Sequence, residues 1–281
     1  MNTKKLLLVL LLALSLLAAS IYLFSGSDSG SAPSLVTSFD YSWTENNRYI
    51  AHACGSINGI SYSNSKEALE ENYAKGCRIF EVDLLETADG KLVCWHSFTT
   101  YDLVPEEFTG TFPTKEEFLS MEIKGGLHTM DFGYVVDFMS EHDDVYIVTD
   151  TKTLTKEDTL RRFTEIRDIA SAKDASVLDR IIPQLYYPEM KEEVMSVYEW
   201  RSLIYTMYLV AEGTRYGDVM DYVTENGIGV VTVSVERAND TFIRDLNERG
   251  IKVYINTVDS EKEAAAWKER GVYGFYTNDL I

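Results

Sequence analysis

Three carboxylates and two histidines stand where this chain could concentrate chemistry. Glu81 and Asp83 lie two residues apart inside the β-branched and aromatic run 78–84, and at strand spacing two such side chains share one face. Asp150 closes a second run of this kind, after Val145-Tyr-Ile-Val148. A single acid in a strand usually faces solvent, but acids flanked by Ile79, Phe80, Val82 and Leu84 are harder to place there. A buried carboxylate is costly unless a cation or several donors answer it. His52 and His96 lie at the ends of two further short runs, the first closed by Ala53, and Lys152 follows Asp150 by two positions. Histidine can give or take a proton near neutral pH. Acids and histidines together therefore point to acid/base chemistry beside carboxylates answered by a cation or by several donors. His128, in a loop, and His142, at a helix end beside Asp143-Asp144, carry no such company and are assigned no role.

These side chains need a scaffold that brings strand ends together. Strand-like runs cover 49–53, 78–84, 92–96, 145–150, 181–186, 203–208, 229–235, 253–258 and 274–277. Helical stretches alternate with them over 64–75, 156–173, 189–199, 215–225, 240–248 and 260–270. The first opens with Asn64 and carries Glu67 three residues on, the pattern of a capping box, and closes at Gly76. Alternation of this kind predicts a parallel sheet. The connection between 78–84 and 92–96 is too short for a parallel crossover, and Asp89-Gly90 within it signals a tight hairpin. Eight barrel strands remain. The expected fold is a (β/α)8 TIM barrel with an extra β-hairpin arm after the second strand and an irregular insertion over 97–126. A doubly wound open sheet is the competing architecture. In a barrel, polar residues at the C-terminal strand ends line the active site. A two-residue loop at Asp89-Gly90 would also set His96 directly opposite Asp83, with Cβ atoms about 4.5–5.5 Å apart. Tyr186, Tyr205, Tyr208 and Trp95 could line a pocket, though aromatic residues in barrel strands are more often core.

Charge narrows the partners. With 45 Asp and Glu against 26 Lys and Arg, the formal charge is −19, which makes a surface that tracks nucleic acid untenable. A bound divalent cation could still reverse the field inside one cleft and admit a small phosphate-bearing substrate. Cys54, Cys77 and Cys94 are too few and too unevenly spaced for a zinc knuckle or a disulfide framework. Positions 6–24 are almost uninterrupted apolar residues after Lys4 and Lys5. Such a run spans about 28 Å, close to the hydrocarbon thickness of a bilayer. Residues 1–24 are thus expected to be an uncleaved membrane anchor, with a cleaved signal peptide as the alternative. The paired lysines would stay inside and the rest of the chain outside. Residues 25–40 read as a flexible Gly/Ser linker and 41–281 as the folded domain.

The motifs together resemble the glycerophosphodiester phosphodiesterase family, of the phosphatidylinositol phospholipase C-like phosphodiesterase superfamily. The resemblance rests on Ile50-Ala-His-Ala-Cys-Gly55, Tyr62-Ser-Asn-Ser-Lys-Glu-Ala-Leu69, Gly76-Cys-Arg-Ile-Phe-Glu-Val-Asp83, Thr87-Ala-Asp-Gly-Lys-Leu-Val-Cys-Trp-His96 and Val148-Thr-Asp-Thr-Lys152. It implies a TIM barrel with His52 and His96 as catalytic histidines. It implies Glu81, Asp83 and Asp150 as ligands of one divalent cation, Ca²⁺ or Mg²⁺, the last an Asp where the family usually has Glu. Lys152 matches a lysine beside the phosphate, and Asn64 the asparagine that opens the first helix, a substrate-side position. Two positions depart: the arginine usual after the first histidine is Ala53, and the aspartate usual after the second is Ser97. The expected activity is metal-dependent hydrolysis of a phosphodiester, glycerophosphodiester-like, a lipid head group or an envelope polymer. Two rivals stand against it. One is an exported barrel of weak or no activity that binds phosphorylated glycan or lipid head groups. The other is a metal-free lyase, which the acidic triad disfavours.

Overall fold

The structure, a computed structural model, describes residues 33–98, 103, 110, 112–210 and 213–281. The expected anchor over 1–24, residues 25–32 of the Gly/Ser segment and residues 99–102, 104–109 and 111 of the 97–126 insertion lie outside the described residues. Among the described residues no helix is long and apolar enough to cross a membrane.

Eight parallel strands close on themselves. In chain order the strands are β1 (Tyr49–Ala51), β2 (Ile79–Glu86), β3 (Leu92–Cys94), β4 (Glu122–Ile123), β5 (Leu127–His128), β6 (Tyr146–Asp150), β7 (Ile181–Leu185), β8 (Ile204–Thr206), β9 (Val230–Ser234), β10 (Lys252–Asn256) and β11 (Gly274–Thr277). The barrel runs β1-β2-β6-β7-β8-β9-β10-β11 and shuts where Ala51 pairs with Phe80 and Tyr49 with Phe275. The helices are α1 (Lys66–Ala74), α2 (Lys115–Ser120), α3 (Phe132–Glu141), α4 (Lys156–Lys173), α5 (Met190–Val197), α6 (Tyr216–Glu225), α7 (Asp240–Glu248) and α8 (Glu261–Glu269). Closure leaves a two-sided wall. Val82, Leu84, Val231 and Val253 face the helices in the large outer core, whereas Ile50, Ile79, Val148, Ile182, Ile204 and Val230 fill the interior around Trp43. Because side chains alternate along a strand, packing Val82 and Leu84 outward turns Glu81 and Asp83 inward.

β3 runs antiparallel to β2, but its register differs by one residue from the sequence expectation. Leu84 faces Cys94 and Glu86 faces Leu92. The cause is a three-residue loop: Gly90, at φ +70°, closes it, with Gly90 N donating to the Thr87 carbonyl and Thr87 N to that of Lys91. A left-handed glycine after a turn is what this loop length requires. Trp95, not His96, therefore lies opposite Asp83, and its N–H donates to the Asp83 carbonyl at 3.0 Å.

Two other local expectations are corrected. Asn64 does not cap the first helix: Ser65 does, its hydroxyl accepting from Ala68 N, while Asn64 sits outside the helix at φ +45°. The capping box expected there occurs instead at α2, where Thr114 and Glu117 bond reciprocally. The linker expected over 25–40 also ends earlier. Leu35 N donates to the Arg249 carbonyl and Asp40 N to that of Arg201, Phe39 packs against Tyr41, and the folded unit begins at residue 34. Trp43 then plugs the N-terminal end of the barrel, 3% exposed, its indole N–H bonded to Ser202.

Candidate active site

The C-terminal mouth of the barrel collects the acids. Glu81, Asp83 and Asp150 are all buried and offer oxygen atoms within 4.8 Å of one another. Asp83 and Asp150 are paired across β2 and β6, so their proximity follows from sheet register alone. Lys152, at φ +53°, curls its ammonium back onto both, at 2.6 Å from Asp150 Oδ2 and in contact with Asp83 Oδ1. Burial disfavours the ammonium, but the flanking carboxylates prevail and raise its pKa.

Each acid is held differently. Asp150 Oδ1 accepts from the hydroxyls of Tyr208, at 2.8 Å, and Tyr186. Burial pushes this carboxyl up, but Lys152 and the two phenols outweigh it and hold it below its ordinary range. Asp83 is clamped by Asn64, whose Nδ2 donates to Oδ2 at 2.9 Å while its Oδ1 accepts from Asp83 N at 3.1 Å. Glu81 Oε2 accepts from Ala53 N at 2.8 Å, but Oε1 is buried with no hydrogen-bond partner. Burial, reinforced by Asp83 and Asp150, drives the Glu81 carboxyl well above its ordinary value. Three buried acids against one ammonium, with one oxygen unsatisfied, fit a cation. An all-oxygen donor set suits a hard divalent ion.

Both histidines reach this cluster. His52 follows β1, where Ala53, Cys54 and Gly55 all adopt positive φ. That backbone turn presents Ala53 N to Glu81 and leaves His52 Nε2 3.9 Å from Glu81 Oε2. Thr257 Oγ1 lies 3.2 Å from the other ring nitrogen. His96 reaches the site from beyond the end of β3 rather than by pairing across the hairpin. The Tyr62 ring contacts both histidines edge-on, with centroids 4.6 Å from His52 and 5.8 Å from His96. Burial lowers both imidazoles below the ordinary range, and the charge of Asp83 opposes the shift in each. Neutral imidazoles are the form that accepts protons.

All seven residues singled out from the sequence, His52, Asn64, Glu81, Asp83, His96, Asp150 and Lys152, converge on one mouth. Asn64 reaches it through Asp83, to which both its amide atoms are bonded. Tyr62, Thr257, Tyr186 and Tyr208 were not assigned to the site from sequence. The last two carry a signal, since each lies just beyond a barrel strand end. His128 pairs with Glu67 at 2.6 Å, and His142 packs against both Tyr73 and Phe138.

A closed parallel barrel with buried acids, a lysine and two histidines at its C-terminal mouth has the layout of a hydrolase of phosphate esters. The chain belongs to the glycerophosphoryl diester phosphodiesterase family, whose model matches residues 46–281, and it is a phosphoric diester hydrolase. A search of curated proteins found no match. Among solved structures, a phosphodiesterase from Oleispira antarctica in complex with the product sn-glycerol-3-phosphate is similar, with a TM-score of 0.67 at 11% identity, covering 83% of this chain and 93% of that one. A glycerophosphoryl diester phosphodiesterase from Parabacteroides distasonis gives 0.63 at 18% identity over 88% and 90%. A glycerophosphodiester phosphodiesterase from Thermotoga maritima gives 0.60 at 18% identity over 83% and 94%.

Proposed function

We propose that the chain hydrolyses a glycerophosphodiester-like substrate by proton transfer through His52 and His96, beside one Ca²⁺ or Mg²⁺ held by Glu81, Asp83 and Asp150. The observation that carries this reading is the unsatisfied Glu81 Oε1 within a buried triad of acids, flanked by two histidines. When bound, the cation supplies electrostatic stabilisation of the charge that develops on the nonbridging oxygens. Lys152 adds a second positive group from the adjacent strand end. One imidazole takes the proton of the attacking hydroxyl, and the other gives a proton to the leaving alkoxide. Asn64 keeps the Asp83 carboxylate in place rather than touching substrate itself, and Tyr62 packs against both imidazoles.

The test is turnover of bis(4-nitrophenyl) phosphate by the purified chain. Chelation should abolish it and added Ca²⁺ or Mg²⁺ restore it. Activity unchanged after exhaustive chelation rejects the cation. Ala53 and Ser97, where the resemblance leads one to expect an arginine and an aspartate, favour a second reading, a barrel that binds phosphorylated head groups without turnover. Metal-loaded protein that cleaves no diester in a panel would establish it. We also infer that residues 1–24 anchor the chain in the cell membrane with the barrel outside, on the strength of the apolar run after Lys4 and Lys5. Recovery of the protein in the medium with a mature N-terminus between residues 19 and 34 would make it a secreted enzyme instead.

A further inference from the structure

We propose that a cavity beside the acidic cluster receives an apolar ester arm of the substrate, an inference that rests on the hydrolytic reading above. The cavity has a volume of about 380 Å³, and its walls include Leu154, Tyr186, Tyr205, Leu209, Val219 and Tyr222. A pocket of this size holds a small-molecule group rather than a water or two. It shares one wall residue with the cluster. Tyr186 lines the cavity and bonds Asp150 through its hydroxyl. Tyr208, which also bonds Asp150, is the chain neighbour of Leu209 in the cavity wall.

The lining is aromatic yet shows little polarity to an occupant. Besides Tyr186, Tyr187 commits its hydroxyl to Glu193 at 2.6 Å and Tyr222 commits its own to the Pro188 carbonyl at 2.6 Å. These three tyrosines therefore present mainly ring surface, beside the apolar side chains of Leu154, Leu209 and Val219. An aromatic pocket with a bare acid in its wall would suit a quaternary ammonium, but the one carboxylate among the described lining residues, Asp218, is held by Arg215 through two bonds of 3.0 and 2.6 Å, and Glu189 and Glu192 act on the tyrosines from outside the lining. Leu154 extends the apolar surface at the rim, 61% exposed. Such a surface gains free energy by covering hydrocarbon. The substrate class is accordingly a phosphodiester whose one ester arm carries an acyl or similar apolar group.

The test uses the purified full chain with Mg²⁺ or Ca²⁺ and a matched pair of soluble diesters, glycerophosphoglycerol and its hexanoyl ester. The wild type is expected to favour the hexanoyl ester by about tenfold or more in kcat/KM, expressed in KM, the scale on which an apolar pocket discriminates. Leu154→Asp and Thr214→Trp, both at exposed rim positions, are expected to erase that preference while leaving turnover of glycerophosphoglycerol nearly unchanged. Equal kcat/KM for the two diesters in the wild type, or a preference that survives both substitutions, overturns the proposal. If neither diester is cleaved, the hydrolytic reading fails on its own, and calorimetric binding of the same pair decides the cavity. About tenfold tighter binding of the hexanoyl ester, lost in both variants, supports it, and equal affinity overturns it.

Discussion

Ile79 and Glu81 stand two residues apart on β2, both turned into the barrel, yet one meets hydrocarbon and the other meets charge. At the N-terminal end Ile79 joins one apolar cluster with Trp43, Ile50, Val148, Ile182 and Tyr254. At the C-terminal end Asp83, Asp150 and Lys152 crowd Glu81, and an oxygen is left without a partner. The same strands thus carry a packed plug below and an unsatisfied acidic cluster above. Stability is concentrated where the polypeptide buries apolar surface, and chemistry where it accepts the cost of buried charge.

The two ends should separate under mutation. His52→Ala and His96→Ala are expected to lower kcat by roughly 10²–10⁴-fold, the usual scale of proton-transfer catalysis, with Tm and cation affinity nearly unchanged. Steady-state kinetics with calorimetric titration of the cation check this, and equal loss of cation binding would make a histidine a ligand. Trp43→Ala should do the reverse. Removing a buried indole costs about 3–5 kcal/mol, read by urea denaturation, while kcat of the remaining folded protein holds. A fall in kcat at full folding would mean that the ends are coupled.

Asn64→Ala lies between these extremes. Its side-chain amide bonds Asp83 Oδ2 and Asp83 N, so cation affinity should fall by about 10–100-fold, as for groups that orient a ligand. Titration of the variant with Ca²⁺ or Mg²⁺ decides it. The neighbouring Ser65→Ala should cost only about 1 kcal/mol of stability through the lost helix cap, with cation affinity untouched. A shift in affinity there would show that α1, not Asn64, positions Asp83.

The barrel was legible because strands and helices alternate, and the acids were legible because each interrupts an apolar run at a strand end. Finer geometry was not. Two-residue and three-residue hairpins share the Asp-Gly signature, and the left-handed Gly90 decides between them only in the folded loop. Asn64 and Ser65 are both good caps, and the positive φ of Asn64 is what takes it out of the helix and onto Asp83. Tyr186 and Tyr208 look like core aromatics until their hydroxyls are seen on Asp150. Leu35 and Phe39 were hidden by the Gly/Ser composition that precedes them, although they dock on the barrel.

That docking also fixes how the protein can be handled. Leu35 and Asp40 bond to Arg249 and Arg201, which lie just before β10 and β8, at the end of the barrel away from the mouth. The polypeptide therefore joins its barrel from behind. A label, carrier protein or solid support joined ahead of residue 34 would grip the back of the enzyme and leave the catalytic opening facing outward, free to meet large as well as small substrates.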